Sequence, residues 1–291
     1  MVSDLAIHVH GLRKSYGDFE AVRGIDFEVR RGEVFGLLGP NGAGKTTTVE
    51  ILEGYRERTN GTVAVLGFDP GKRSRGLRSR VGIVLQSTGL YRHIRVREAI
   101  VHFAGMYPHP RDPDEVIELT GLRGKEDALA RTLSGGQLRR LDLALALVGD
   151  PELIFLDEPT TGFDPAARRN AWDTIRSLKQ LGKTVVLTTH YLDEAQALAD
   201  RVAIIKDGRI VVEGAPQELG STASAAPYRV AYRNGDGGLV ERETDDPTTL
   251  LHELTAEALA RGERLEALTV TRPTLEDVYL ELTADEAPVD A

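Results

Sequence analysis

The chain contains no cysteine among its 291 residues. Disulfides, thiolate zinc sites and a cysteine nucleophile are therefore excluded, and a reducing compartment fits. No apolar run approaches the roughly 18 residues needed to cross a bilayer; the longest candidate is Leu143-Ala144-Leu145-Ala146-Leu147-Val148. The opening residues, Met1-Val2-Ser3-Asp4, carry no basic-plus-apolar signal. Membrane association is thus expected only through a partner. A surplus of positive charge is missing too. The formal net charge is −9, and it lies in residues 223–291, where 15 acidic residues face 6 basic ones; residues 1–222 balance at 30 against 30. Neither part is a basic nucleic-acid platform, so no nucleic-acid partner is expected. Internal repeats and low-complexity tracts are absent. What remains is ordinary for a globular chain, 41% hydrophobic and 28% charged, of a length that suits one large domain with an appendage or two domains.

Against this background one stretch stands out. Gly39-Pro40-Asn41-Gly42-Ala43-Gly44-Lys45-Thr46 has the form G-x-x-x-x-G-K-[ST] of a phosphate-binding P-loop. The apolar run Val34-Phe35-Gly36-Leu37-Leu38 before it predicts a buried strand, and Thr47 to Leu52 after it predicts a helix. Glycines let the backbone curl so that successive N–H groups point at a polyphosphate, and the helix N-terminus adds partial positive charge. Lys45 is expected to reach the β- and γ-phosphates and the Thr46 hydroxyl to bind Mg²⁺.

Around the loop, apolar alternation at Leu5, Ile7 and Val9 and at Ile25, Phe27 and Val29 predicts strands, with Leu12 to Gly17 between them as a polar turn carrying Tyr16. Tyr16 is either a half-buried loop residue or a flat face for a nucleotide base. Further strands are expected at Thr62–Leu66, Val81–Leu85, Leu153–Leu156 and Thr184–Thr188, and a hairpin at Val202–Val212 around Asp207-Gly208. Gln86 ends one of these strands, where ligands bind in α/β sheets. The basic stretch Lys72–Arg80 is expected to be a solvated helix face. Helices at Arg95–Phe103, Asp114–Thr120 and Gln137–Val148 make residues 87–150 an α-helical insert. A small-residue stretch, Gly220 to Pro227, marks a boundary. Beyond it strand, glycine-rich turn, strand, helix, strand and helix follow, so the expected domains are 1–221 and a C-terminal α+β domain at 222–291.

Asp157 and Glu158 close the apolar run Leu153–Leu156. One carboxylate to hold Mg²⁺ and a neighbour to address the attacking water is the division of labour that nucleotide hydrolysis needs. Leu133-Ser134-Gly135-Gly136-Gln137 ends 20 residues before Asp157 and offers a second set of helix-terminal N–H groups to an anion. Together these motifs resemble, in content and in order, the ATP-binding-cassette (ABC) ATPases over about residues 5–220. The resemblance implies an α/β, RecA-like P-loop NTPase core with an N-terminal antiparallel β subdomain and a helical insert. It also implies two copies packed head to tail around two ATP molecules with Mg²⁺, each signature covering the nucleotide on the other copy.

Carried over residue by residue, Tyr16 matches the adenine-stacking aromatic and Gly39 to Thr47 match the Walker A loop (Gly39, Pro40, Asn41, Gly42, Ala43, Gly44, Lys45, Thr46, Thr47). Gln86 matches the Q-loop glutamine, which senses Mg²⁺ and the γ-phosphate. Ser134, Gly135, Gly136 and Gln137 lie in the signature. Asp157 matches the Walker B aspartate, Glu158 the catalytic glutamate and His190 the switch histidine. In the D-loop, Phe163 stands where leucine is usual, so only Asp164 is carried over. Only 47 positions separate Gln86 from Leu133, too few for the coiled coils of chromosome-maintenance relatives. A single cassette without a membrane span implies a transporter subunit at the cytoplasmic face of the membrane, beside a separate permease. Arg272 to Thr283, Val96-Arg97-Glu98 and Tyr191 to Ala195 resemble the daunorubicin/doxorubicin-resistance exporters, implying a six-span permease and drug or amphipathic cargo. Export of lipid or polysaccharide precursors and a non-transport regulatory ATPase are the alternatives.

Overall fold

A computed structural model describes residues 4–84, 93–222, 228–234, 237–271 and 275–283. The chain falls into two compact units, Met1–Glu213 and Gly214–Ala291.

The first unit begins with a long hairpin, β1 (Leu5–Tyr16) and β2 (Phe19–Arg30). The expected turn at Leu12–Gly17 is instead strand up to Tyr16. Register shifts on either side of Leu12 reset the alternation, so Leu12 is fully buried and the chain stays paired with β2. Next come β3 (Val34–Leu38), α1 (Lys45–Glu53) and β4 (Asn60–Val65), which joins β1 in an antiparallel sheet of order β2-β1-β4. The basic stretch forms a short 3₁₀ turn and a single helical turn, α2 (Arg75–Arg78), with Lys72, Arg73, Arg75 and Arg78 exposed.

After β5 (Val81–Val84) the described chain resumes in the helical insert: α3 (Val96–Ala104), α4 (Pro113–Leu119) and α5 (Gly135–Leu147). Asp112 caps α4 through the Asp114 N–H, with Pro113 at the first helical position. The α/β alternation then returns with β6 (Leu153–Asp157), α6 (Pro165–Gln180), β7 (Thr184–Thr189), α7 (Leu192–Leu198), β8 (Arg201–Lys206) and β9 (Arg209–Gly214).

The central sheet has the order β5-β6-β7-β3-β8-β9, and β5, β6, β7, β3 and β8 pair in parallel. Both its faces are buried, which is why its strands read as continuous apolar runs. Leu153, Phe155, Val186, Phe35 and Leu37 pack on one side with the β-subdomain and α1. Their alternates Ile154, Leu156, Val185, Leu187 and Val34 pack on the other, with the helical insert and α6.

In the second unit, α8 (Pro216–Thr222) precedes β10 (Tyr228–Arg233), β11 (Leu239–Thr244), α9 (Pro247–Arg261), β12 (Glu266–Thr271) and α10 (Leu275–Thr283). The strands form an antiparallel sheet of order β11-β10-β12. Val230 and Tyr232 on β10 pack with Leu254 of α9, giving this unit its own small α+β core. The helix covers what the sequence calls the Arg272–Thr283 segment only from Leu275 on; Arg272 to Thr274 lie outside the described residues.

Candidate functional site

Parallel pairing brings three strand ends together. Leu38 is in register with Thr189, and Asp157 with Thr188. The loop after β3, the carboxylates ending β6 and the histidine after β7 therefore converge at the C-terminal edge of three adjacent strands, the usual ligand edge of such sheets.

Two positions of the loop Gly39–Gly44 have no room for a larger residue. Gly39 has φ +153°, and a Cβ there would lie 2.2 Å from the Ile205 carbonyl oxygen. Gly44 has φ +106°, and a Cβ there would lie 2.6 Å from that of Ala21. Gly44 caps α1 with no side chain, leaving the first helical N–H groups available to an anion. Lys45 opens the helix and is buried; its Nζ donates to the Gly39 carbonyl (2.7 Å) and the Pro40 carbonyl (3.1 Å). Burial lowers the Lys45 pKa, while the charges of Glu158 and Asp157 work to raise it. The ammonium is thus held over the loop and faces two carboxylates. Thr46 is exposed and Thr47 half-buried on the first turn of α1.

Asp157 and Glu158 are held by β7. The Thr188 hydroxyl donates to Asp157 Oδ1 (2.5 Å), and the Glu158 N–H donates to Thr188 O (3.1 Å) and Oγ1 (3.2 Å). Glu158 has φ +45°, a left-handed backbone that costs a non-glycine residue about 1 kcal/mol or more. His190 Nδ1 lies 3.2 Å from Glu158 Oε1, and the Thr161 hydroxyl donates to Oε2 (3.1 Å). The His190 ring packs on Tyr191, with centroids 4.1 Å apart. Thr188 carries no sequence signal of its own; its part depends on the 30-odd residues of chain that return it beside the carboxylates, whereas Thr161 lies only three residues beyond Glu158.

The remaining candidates make contacts of their own. Tyr16 is 41% exposed, with Lys14 Nζ 5.0 Å and the Arg56 guanidinium 5.4 Å from its ring centroid. Ser134 caps α5 in a capping box: its Oγ accepts from the Gln137 N–H, and Gln137 Oε1 accepts from the Ser134 N–H. The Gln137 side chain is thereby committed to its own helix end. Gly135 and Gly136 expose their backbone at that terminus. A cavity of about 730 Å³ joins the signature to Thr161–Asp164, and none of its lining residues belongs to the P-loop. Asp164 Oδ1 accepts from the Ala166 and Ala167 N–H groups and so caps α6. Gln86 lies outside the described residues.

One residue was not legible at all. Glu53, in the last turn of α1, has its pKa pushed up to about 8, chiefly by burial and then by the charges of Asp157 and Glu50. Its folded-state pKa is raised, so its contribution to stability is full below pH 4.5 and is lost as pH rises towards 8. Glu53→Gln is therefore expected to stabilise the fold at pH 8 by on the order of 2 kcal/mol and to change little at pH 4.5. Thermal melts of both proteins at the two pH values check this; an equal shift at both would contradict it.

The family model described as "ABC transporter" matches residues 22–161. The chain is 40% identical to Nod factor export ATP-binding protein I of Sinorhizobium fredii, over 98% of this chain and 88% of that protein. It is also 36% identical to daunorubicin resistance ATP-binding protein DrrA3 of Streptomyces coeruleorubidus, over 99% of both. This chain belongs to the ABC transporter family, as an ATP-binding protein. As an ABC ATPase it binds and hydrolyses ATP in the service of transport. Solved structures agree on the fold. A cbiO1 subunit of the ABC transporter complex cbiONQ from Clostridium perfringens superposes with a TM-score of 0.68 at 29% identity, over 76% of this chain and 92% of that one. The ATP-binding cassette MJ0796, solved as a dimer bound to ADP and Pi, gives a TM-score of 0.64 at 23% identity, over 72% and 98%. No helix among the described residues is long and apolar enough to cross a membrane.

Proposed function

We propose that this ABC ATPase is the ATP-hydrolysing subunit of an exporter, and that two copies close on ATP to drive a separate membrane permease from the cytoplasmic face. The observation that carries this is the separation of its two anion cradles. The chain has one complete P-loop, yet Ser134–Gly136 open a second helix terminus whose cavity includes no P-loop residue. This fits a terminus that covers the nucleotide held on Gly39–Thr47 of another copy. Relatives named for Nod factor export and for daunorubicin resistance support export as the direction.

In the closed pair, Lys45 and the loop N–H groups hold the phosphates, and Tyr16 offers a face to the adenine. The donors present, the Thr46 hydroxyl and the Asp157 carboxylate, are hard oxygens of the kind Mg²⁺ takes, with Gln86 as a third. When bound, the ion neutralises phosphate charge. Glu158 orients a water and accepts its proton as the water oxygen bonds to the γ-phosphorus and the bond to the β-phosphate oxygen breaks. His190 steadies one oxygen of that carboxylate and leaves its other ring nitrogen for the γ-phosphate. Positioning and electrostatics supply most of the catalysis.

Drug or other amphipathic export is the first cargo, from the likeness to DrrA3 over 99% of both chains. Relatives of similar identity are named for a different cargo, Nod factor, so drug export is not the one cargo the relatives point to; lipid or polysaccharide precursors are the second reading. The test is affinity purification of the tagged chain from membranes. A six-span membrane protein should co-purify, and Ser134→Arg should abolish ATP-dependent dimerisation and ATPase while leaving nucleotide binding to the single copy. Full-rate hydrolysis by a strictly monomeric protein would refute the two-copy arrangement.

A further inference from the structure

The left-handed backbone at Glu158 needs something to hold it, and the residue placed to do so comes from the signature helix. Arg139 lies five residues beyond Ser134 on α5. Its side chain is 13% exposed. Nη2 donates to the Asp157 carbonyl at 3.0 Å and Nε to the Pro159 carbonyl at 3.3 Å. These are the carbonyls of the two residues that flank Glu158. Asp142, one turn on, lies 3.9 Å from Nη1.

The arrangement is specific. Two N–H groups of one planar fork grip both sides of a single residue, and that residue has φ +45°. A guanidinium does this through a rigid planar fork of fixed geometry, which an ammonium does not offer. Burial lowers the Arg139 pKa against the opposing pull of Asp142, Asp157 and Glu194. The carbonyls it holds belong to the residues on either side of the one that must present a carboxylate to water, where small misplacement is expensive.

We propose that Arg139 is a positioning residue for hydrolysis, setting the Glu158 peptide from the signature helix. This rests on the assignment of Glu158 as the group that addresses water. It acts through the backbone on either side of Glu158. Its side chain also ties the helix that carries Ser134–Gly136 to the catalytic peptide of the same copy.

The experiment compares the full-length wild type with Arg139→Lys and Arg139→Met by steady-state ATPase, binding of a fluorescent ATP analogue, and thermal melts. Turnover should fall on the order of 10–100-fold in Arg139→Met and less in Arg139→Lys, which keeps the charge and stem. KM for ATP, analogue affinity and melting temperature should stay close to wild type in Arg139→Lys. Wild-type turnover in Arg139→Lys or a folded Arg139→Met overturns the proposal. So does a turnover loss that tracks lost nucleotide binding or lost stability. Should Arg139→Met fail to fold, the Lys variant decides. Glu158→Gln is run alongside. If it hydrolyses normally, the assignment of Glu158 fails; if it is inactive while Arg139→Lys is fully active, only the positioning role fails.

Discussion

Glu158→Gln is expected to lower ATP turnover by about 10²–10⁴-fold, the range for a lost general base, while leaving ATP binding intact. The amide keeps the size of the side chain and one acceptor oxygen, so the contacts to His190 and Thr161 can be largely retained. What it loses is the capacity to take a proton from water. Nucleotide binding depends on Lys45 and the loop after β3, which the change does not touch. The variant should therefore bind ATP, close as a pair and stay closed, because the step that would reopen it has been removed. Size-exclusion chromatography with and without MgATP, beside a phosphate-release assay, checks both halves. Hydrolysis at the wild-type rate would remove Glu158 from the mechanism. A silent enzyme that no longer binds nucleotide would point to a collapsed loop.

Lys45→Ala should act one step earlier. Its buried ammonium is held by the Gly39 and Pro40 carbonyls at 2.7 and 3.1 Å, poised at the centre of the loop. A hydrogen bond to a charged partner contributes about 1.5–3 kcal/mol, so ATP affinity should fall at least about tenfold, with turnover lost beyond that. Removing the side chain also leaves those two carbonyls without this donor, which loosens the loop itself. Isothermal titration with ATP and with ADP separates the contributions, because the Lys45 charge should matter more to the nucleotide with the γ-phosphate. Unchanged affinity for both would end the role of Lys45 as a phosphate ligand.

The two variants separate binding from chemistry, and the inference on Arg139 occupies the ground between them. The predictions at Glu158 and Arg139 depend on the same feature, a strained and heavily braced peptide at the end of β6. Thr188 holds it from one side and Arg139 from the other, while His190 and Thr161 hold the carboxylate.

The sequence by itself determined the chemistry of this protein and most of its elements. Gly39–Thr46, Asp157-Glu158 and Leu133–Gln137 are contiguous motifs whose residue types are dictated by phosphate, metal and proton, so they can be read without coordinates. The sheet strands were legible for the same local reason. Both faces are buried, and Val34–Leu38, Leu153–Leu156 and Thr184–Thr188 are nearly continuous apolar runs. Local signals reached their limit at β1. There, bulges around Leu12 change which residues point inward, and alternation misreads a strand as a turn. Only the tertiary structure decided how the motifs meet. Parallel registers between β3, β7 and β6 bring Lys45, His190 and Glu158 to one edge. The supports around them are ordinary residues made important by long-range proximity: Thr188 beside Asp157, Glu53 buried near Asp157's charge, and Arg139 reaching the carbonyls around Glu158. No residue type announces such a role, because hydrogen bonding to a backbone carbonyl leaves no pattern in the chain that supplies the donor.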